Sequence, residues 1–160
     1  EGLKSLKNIA DAKSEVLESL DKKGCLIINN DTNFSQQIKI KAKKLGIKNI
    51  ALSFTNNSFD VEKLREIMGK DVSIMAKIET RASIENINDI LNVADEILID
   101  RGDLSREIAI ESIPYMQKYI IKVANSKKIP VNVATNLLKL CADKNRYEIK
   151  EIRYNEQEIR

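Results

Sequence analysis

The sequence contains no histidine and no tryptophan, and it has only two cysteines, two prolines and five glycines in 160 residues. Without histidine, this chain can build neither a Ser-His-Asp triad nor an imidazole metal site. Cys25 and Cys141 lie far apart and lack CxxC spacing, which argues against a zinc or redox motif. Cys25 sits in an apolar run, so we expect a small core residue there. Scarce glycine and proline argue against a turn-rich all-β fold.

Aromatic residues make up 4% of the chain, so recognition of nucleic acid by base stacking is not expected. The net charge is only +3. The densest lysine stretch, KIKAKKLGIK at 39–48, is interpreted as a solvated helix face, with a phosphate-binding patch as the alternative. No apolar stretch approaches the ~20 residues of a membrane span, and there is no signal-peptide pattern. We therefore predict a cytoplasmic protein with neither a membrane nor a nucleic-acid partner.

Five short apolar, β-branched runs recur along the chain, with amphipathic stretches of helical spacing between them. The runs are CLIIN (25–29), NIALSF (49–54), VSIMAKI (72–78), EILID (96–100) and PVNVA (130–134). Strict alternation of helix and strand requires a parallel sheet with helical crossovers. We therefore expect an α/β fold, with residues 1–160 forming a single domain around an open, five-stranded parallel sheet.

Charged residues stand at the ends of two successive runs. Lys77 and Glu79 close the third run, and EILID opens directly into RGDL. Alternate residues of a strand face the same way, so Lys77 and Glu79 should project together. Parallel α/β folds place function at the carboxyl ends of their strands, where Asp103 and Thr135 also fall. The alternative is a partly buried Lys77–Glu79 ion pair, with Asp103 capping the next turn.

Four motifs, in order, resemble the barrel domain of pyruvate kinase. They are Ser53-Phe54 after IAL, then AKIE, then RGDL, then AT-x-x-L at 134–138. The resemblance runs from about residue 36 to 155. A TIM barrel needs roughly 250 residues, so this stretch resembles half of one. The resemblance implies phosphoryl transfer between phosphoenolpyruvate and ADP, with phosphoenolpyruvate or pyruvate and ADP or ATP as partners.

The resemblance also implies roles for individual residues. Glu79 and Asp103 match the carboxylates that hold Mg²⁺, a hard cation that prefers oxygen ligands. Lys77 matches the lysine that stabilises charge on the transferred phosphoryl group and on the enolate oxygen. Thr135 matches the threonine tied to enolate protonation.

The substrate side of the site is implied in the same way. The backbone of Arg101, Gly102 and Asp103 matches the turn whose amides receive the substrate carboxylate. Ser53 lies on the same edge and would line the pocket, as would Thr135.

Some family features are changed or missing in this chain. Ala82 and Ser105 replace residues usual in the family's motifs, as does the pair at 136–137. Nothing matches the earlier barrel strands that carry the ligands of K⁺, a cation expected in the family. Four of the eight strands cannot close a barrel, so exposed edges need a cover, which a homo-oligomer would supply. We expect weak binding at most, and little turnover, from the chain by itself.

Residues 1–33 resemble instead the central domain of Mur ligases. We therefore divide the single domain of this chain into a unit at 1–35 and a pyruvate kinase-like segment at 36–160. An IA-x-AK-x-E helix leads there to a strand ending in N-x-D. The resemblance places Asn29 near an adenine, with Asp31 in the same turn. The phosphate loop of that family is absent, and an ordinary amphipathic helix and core strand explain the same pattern. Two further hypotheses therefore stay open: a non-catalytic fragment or remnant of an α/β enzyme, and a remnant that binds adenine nucleotide.

Overall fold

The computed structural model describes residues 6–20, 24–29, 35–134 and 152–153. The strands are β1 (Cys25–Asn29), β2 (Asn49–Ser53), β3 (Ser73–Ile78), β4 (Glu96–Asp100), β5 (Val131–Ala134) and β6 (Ile152–Arg153). The helices are α1 (Leu6–Glu15), α2 (Ser35–Lys44), α3 (Ser58–Met68), α4 (Arg81–Glu85), α5 (Ile87–Ile90), α6 (Arg101–Glu107) and α7 (Ile113–Ser126). Short 3-10 turns lie at Val16–Glu18 and Ile110–Ser112.

The strands form one sheet in the order β1-β2-β3-β4-β5-β6. Neighbours from β1 to β5 run parallel, and β6 pairs antiparallel with β5. The predicted five-stranded parallel sheet is therefore confirmed, and β6 is an addition that two residues could not signal by periodicity. Because β1 to β5 all run parallel, their carboxyl ends lie along one edge of the sheet, called the carboxyl edge below.

One face of the sheet packs into the hydrophobic core. Alternate strand residues such as Ile50, Ile74 and Ile97 are fully buried, in one cluster with Leu64 of α3 and Ile120 of α7. This pattern follows from the period of two in a strand and the helical period of the crossovers. None of the described helices is long and apolar enough to cross a membrane.

The edge strand β1 corrects one expectation. Leu26 and Ile28 are buried, but Cys25 and Ile27 alternate with them and are exposed, Ile27 to 64%. Cys25 is therefore not a core residue, because the pleat turns its side chain toward the opposite face of the sheet. An apolar run on an edge strand does not reveal that only one of its two faces is covered.

Two helical segments differ from the sequence expectation. The stretch between β3 and β4 forms two short helices, α4 and α5, which meet at Asn86. The stretch after β4, interpreted as a turn, begins α6 at once, with Asp100 as the N-cap that accepts the Gly102 N–H. Only Leu104 of α6 is buried, so the segment lacks the apolar periodicity that would have predicted a helix.

We expect replacement of Leu64 by alanine to lower the free energy of unfolding by about 2–5 kcal/mol, since its side chain is fully buried between helix and sheet. The exposed neighbour Glu62 supplies the matched control, and Glu62→Ala should change stability by less than about 0.5 kcal/mol. Urea denaturation followed by circular dichroism measures both. Equal stability of the two variants would contradict the described packing of α3.

Candidate functional site

Lys77 lies on β3 at the carboxyl edge, and its ammonium group is surrounded by oxygen atoms. Lys77 Nζ forms ion pairs with Glu79 Oε1 and, at 3.2 Å, with Asp100 Oδ2. It also donates a hydrogen bond to Ser53 Oγ at 3.3 Å. The register explains these contacts, because Leu52 of β2 pairs with Ala76, which brings Ser53 level with Lys77. The lysine therefore joins the ends of three neighbouring strands.

The pKa of Lys77 results from opposed effects. Burial lowers it, but the hydrogen bonds and negative charges of Glu79 and Asp100 outweigh burial and raise the pKa above its ordinary value. The ammonium group therefore stays protonated at neutral pH, and a fixed positive charge lies at the carboxyl edge.

Glu79 is the most deeply buried charged group of the site, with a side chain that is 0% exposed. Its Oε2 accepts the backbone N–H of Phe54 at 2.7 Å. Phe54 has a φ of 55°, a left-handed conformation that is unfavourable for a bulky residue unless its surroundings hold it. Oε1 accepts no hydrogen bond of regular geometry from the described residues, and its close neighbour is the Lys77 ammonium group.

Three carboxylates meet beside this lysine. Glu79, Asp100 and Asp103 each offer one oxygen atom, and these atoms lie within 4.8 Å of one another. We call these residues the carboxylate cluster. Hard cations such as Mg²⁺ take oxygen ligands, so the donor set fits the metal implied by the resemblance. Glu79 Oε1 is buried and contacts the Lys77 ammonium group, and a carboxylate oxygen has a second lone pair that a further cation could use.

The sequence motifs indicate Glu79 and Asp103 as site residues but do not indicate Asp100. The residue ends the EILID run, so a charge at that strand end was visible in the sequence. Its proximity to Glu79 depends on the register, which pairs Ile78 with Ile99 and brings the next residues level. Because the sequence of one strand does not define its register with the next, only the paired sheet shows that Asp100 lies beside Glu79.

The residues predicted to receive the substrate carboxylate lie at the start of a helix. Arg101, Gly102 and Asp103 form the first turn of α6, and the Gly102 N–H already donates to Asp100 Oδ1 at 3.2 Å. Asp100, and not Asp103, is therefore the cap of this helix, so the alternative of an Asp103 cap is wrong, although its Lys77–Glu79 ion pair is present. Asp103 Oδ1 lies 3.7 Å from Arg106 Nη1.

Two predicted residues, Thr135 and Asp31, lie outside the described part of the chain. Asn29, from the Mur-like segment, ends β1 at the carboxyl edge and is exposed. Its predicted role near an adenine has no further geometric support, so it stays a prediction.

Hydrogen bonds between loops hold the carboxyl edge in place. Thr80 Oγ1 donates to Asn56 Oδ1 at 2.7 Å, and Asn86 Nδ2 donates to the Asn56 carbonyl at 3.0 Å. Thr80 also caps α4, together with Ser83. The loop after β2 is therefore tied by hydrogen bonds to the helices after β3.

The comparisons with known proteins agree with this fold. A family model described as pyruvate kinase, barrel domain, matches residues 22–153. The match begins earlier than residue 36 and so includes β1. The resemblance of residues 1–33 to Mur ligases stays a prediction.

Individual relatives give the same result over part of the chain. Pyruvate kinase of Thermococcus litoralis is 43% identical over 96 residues, covering 58% of this chain and 20% of that protein. Pyruvate kinase of Thermotoga maritima is 43% identical over 91 residues, covering 55% and 20%. Pyruvate kinase of Dictyostelium discoideum is 42% identical over 92 residues, covering 56% and 18%. The matches thus span about a fifth of the length of these curated relatives.

We expect Lys77→Met to lower the free energy of unfolding by about 3–5 kcal/mol, because it leaves the fully buried Glu79 without its ion-pair partner. Adding Glu79→Gln to that variant should recover part of the loss, since the glutamine carbonyl still accepts the Phe54 N–H and carries no charge. Urea denaturation at pH 7 measures both variants.

The matched control for this prediction is Lys70→Met, which removes the same charge from an exposed turn residue. It should change stability by less than about 0.5 kcal/mol. If Lys77→Met were as stable as Lys70→Met, or if the double variant were no more stable than Lys77→Met, Glu79 would not depend on the lysine.

Proposed function

The chain belongs to the pyruvate kinase barrel-domain family, and on that premise we propose that its carboxyl edge is a half-site for a divalent cation and a small carboxylate anion. By half-site we mean the metal-binding and anion-binding side of a phosphoryl-transfer centre. The observation that supports it most strongly is the contact of the Lys77 ammonium group with Glu79. An oxygen atom of Glu79 also lies within 4.8 Å of oxygen atoms of Asp100 and Asp103. The cation is proposed to be Mg²⁺, and the anion phosphoenolpyruvate or pyruvate.

In this proposal Glu79 and Asp103 hold the cation, and bound Mg²⁺ would supply positive charge to the oxygens of the anion. Lys77 provides a second, fixed positive charge beside it. Because the ammonium group is already held by Glu79 and Asp100, little reorganisation is needed for it to face a transferred phosphoryl group or an enolate oxygen. Thr135 is proposed to assist proton transfer to the enolate.

The anion would be received by the backbone of the first turn of α6, at Arg101, Gly102 and Asp103, with Ser53 nearby. The first N–H groups of a helix have no partner within the helix, which suits them to a carboxylate. The Gly102 N–H is shared with Asp100 Oδ1, so an anion must compete with this side chain there. We therefore expect weaker anion binding than at an edge with all amides available.

The reaction class proposed is phosphoryl transfer between phosphoenolpyruvate and ADP, as the names of the relatives suggest. Positioning and charge stabilisation account for most of the catalysis in such reactions, and the described residues supply one side of that arrangement. We propose that residues 1–160 act as a single unit, since β1 joins the same sheet as β2 to β5. A homo-oligomer and a cytoplasmic location remain part of the proposal, whereas K⁺, expected in the family, has no matching ligands in this sequence.

A thermal melt with Mg²⁺ and oxalate tests the half-site, because oxalate mimics the enolate of pyruvate and a ligand that binds only the folded state raises Tm. We expect a rise of Tm with both ligands in the parent chain and none in Glu79→Gln/Asp103→Asn. The glutamine keeps an acceptor for the Phe54 N–H, so this double variant should still fold.

The matched control is Glu85→Gln/Asp89→Asn, which neutralises two exposed acids away from the carboxyl edge and should keep the response. No rise of Tm in the parent chain at any ligand concentration would contradict the half-site. A rise with ATP alone would instead favour the nucleotide-binding hypothesis for residues 1–33.

A further inference from the structure

Asp100 lies close to both proposed metal-binding carboxylates and to the lysine. Its Oδ1 accepts the Gly102 N–H at 3.2 Å, and its Oδ2 lies 3.2 Å from Lys77 Nζ. The side chain is only 16% exposed. Asp100 is thus held from two sides, with an oxygen among those of Glu79 and Asp103.

The charge of the site depends on this residue. Apart from the solvent-exposed Arg106, which lies 3.7 Å from Asp103, the group of Lys77, Glu79 and Asp103 carries a net charge of −1, and the addition of Asp100 makes it −2. A net charge of −2 balances a divalent cation without help from a bound anion. If the site carries a net charge of only −1, a bound divalent cation keeps an excess positive charge, which favours an anionic co-ligand.

A second observation points to a cation at the same place. The Glu79 side chain is 0% exposed, and its Oε1 has the Lys77 ammonium group as its ion-pair partner but accepts no further hydrogen bond from the described residues. The Lys77 ammonium group is one cation in contact with three acceptors, at Glu79, Asp100 and Ser53. A buried carboxylate oxygen with this environment has lone pairs available for a further cation.

We propose that Asp100 is a third carboxylate of the metal site, and that it allows the site to hold a divalent cation in the absence of an anionic co-ligand. The inference rests on the proposed function, since it concerns the same site. It assigns to Asp100 a ligand role in addition to its role as the cap of α6. It also accounts for the competition at Gly102, because one carboxylate both attracts the cation and contacts the amide that an anion would use.

The experiment is a titration of the full chain with Mn²⁺, as a paramagnetic substitute for Mg²⁺, with free Mn²⁺ measured by electron paramagnetic resonance. Each titration is made without and with oxalate. The test variants are Asp100→Asn and Asp100→Ser, both of which keep a side-chain acceptor for the Gly102 N–H, as a good N-cap does. Circular dichroism and thermal melts show whether they fold.

The matched control is Asp71→Asn, which removes the same charge from an exposed turn before β3, at the opposite end of that strand. We expect the parent chain and this control to bind Mn²⁺ without oxalate. In the Asp100 variants Kd for Mn²⁺ alone should rise about 10- to 100-fold, a range seen when supporting groups of metal sites are removed. With oxalate present, the difference in Kd for Mn²⁺ between the Asp100 variants and the parent chain should become smaller.

The outcomes separate the two levels of the proposal. If the parent chain binds Mn²⁺ only when oxalate is present, or if the Asp100 variants bind Mn²⁺ alone as tightly as the parent, the role of Asp100 is wrong and the half-site stands. If the parent binds no Mn²⁺ with or without oxalate, both proposals fail. If one Asp100 variant does not fold, the other provides the same comparison. A parent chain that binds Mn²⁺ only with oxalate would contradict the role of Asp100 without either variant.

Discussion

The burial of the Glu79 carboxylate is the constraint on which the carboxyl edge depends. A charged group that is 0% exposed must find compensating charge and hydrogen bonds. Glu79 finds them in the Lys77 ammonium group on its own strand and in the Phe54 N–H of the preceding loop. These two contacts hold the loop after β2 in its left-handed turn and the lysine over the ends of the strands. The position of the site follows from them.

Such an arrangement costs stability as well as providing it. A buried ion pair rarely stabilises a fold more than an apolar pair of the same size, because both charges lose their hydration. The hydrophobic face of the sheet, with residues such as Ile74 and Ile97 fully buried, carries the fold. The carboxyl edge is a polar layer built on that core.

Asp100 changes the balance of this layer. A helix that begins directly after a strand needs a cap, and Asp100 serves α6 in that way through the Gly102 N–H. The same carboxylate contacts Lys77, so the start of the helix and the charge of the site are coupled through one side chain. An uncharged cap would satisfy the helix equally well and would leave the site with one negative charge fewer.

Much of this protein was determined by local sequence. Strands such as 25–29 and 96–100 coincide with their apolar runs, because a period of two and β-branched residues are local properties. The polar ends of these runs predicted that Lys77, Glu79 and Asp103 would lie close together, as they do. Tertiary structure alone decided that Cys25 is exposed, that RGDL begins a helix, and that Asp100 lies beside Glu79. Coverage of a sheet face and register between strands arise from contacts distant in sequence, which no single segment encodes.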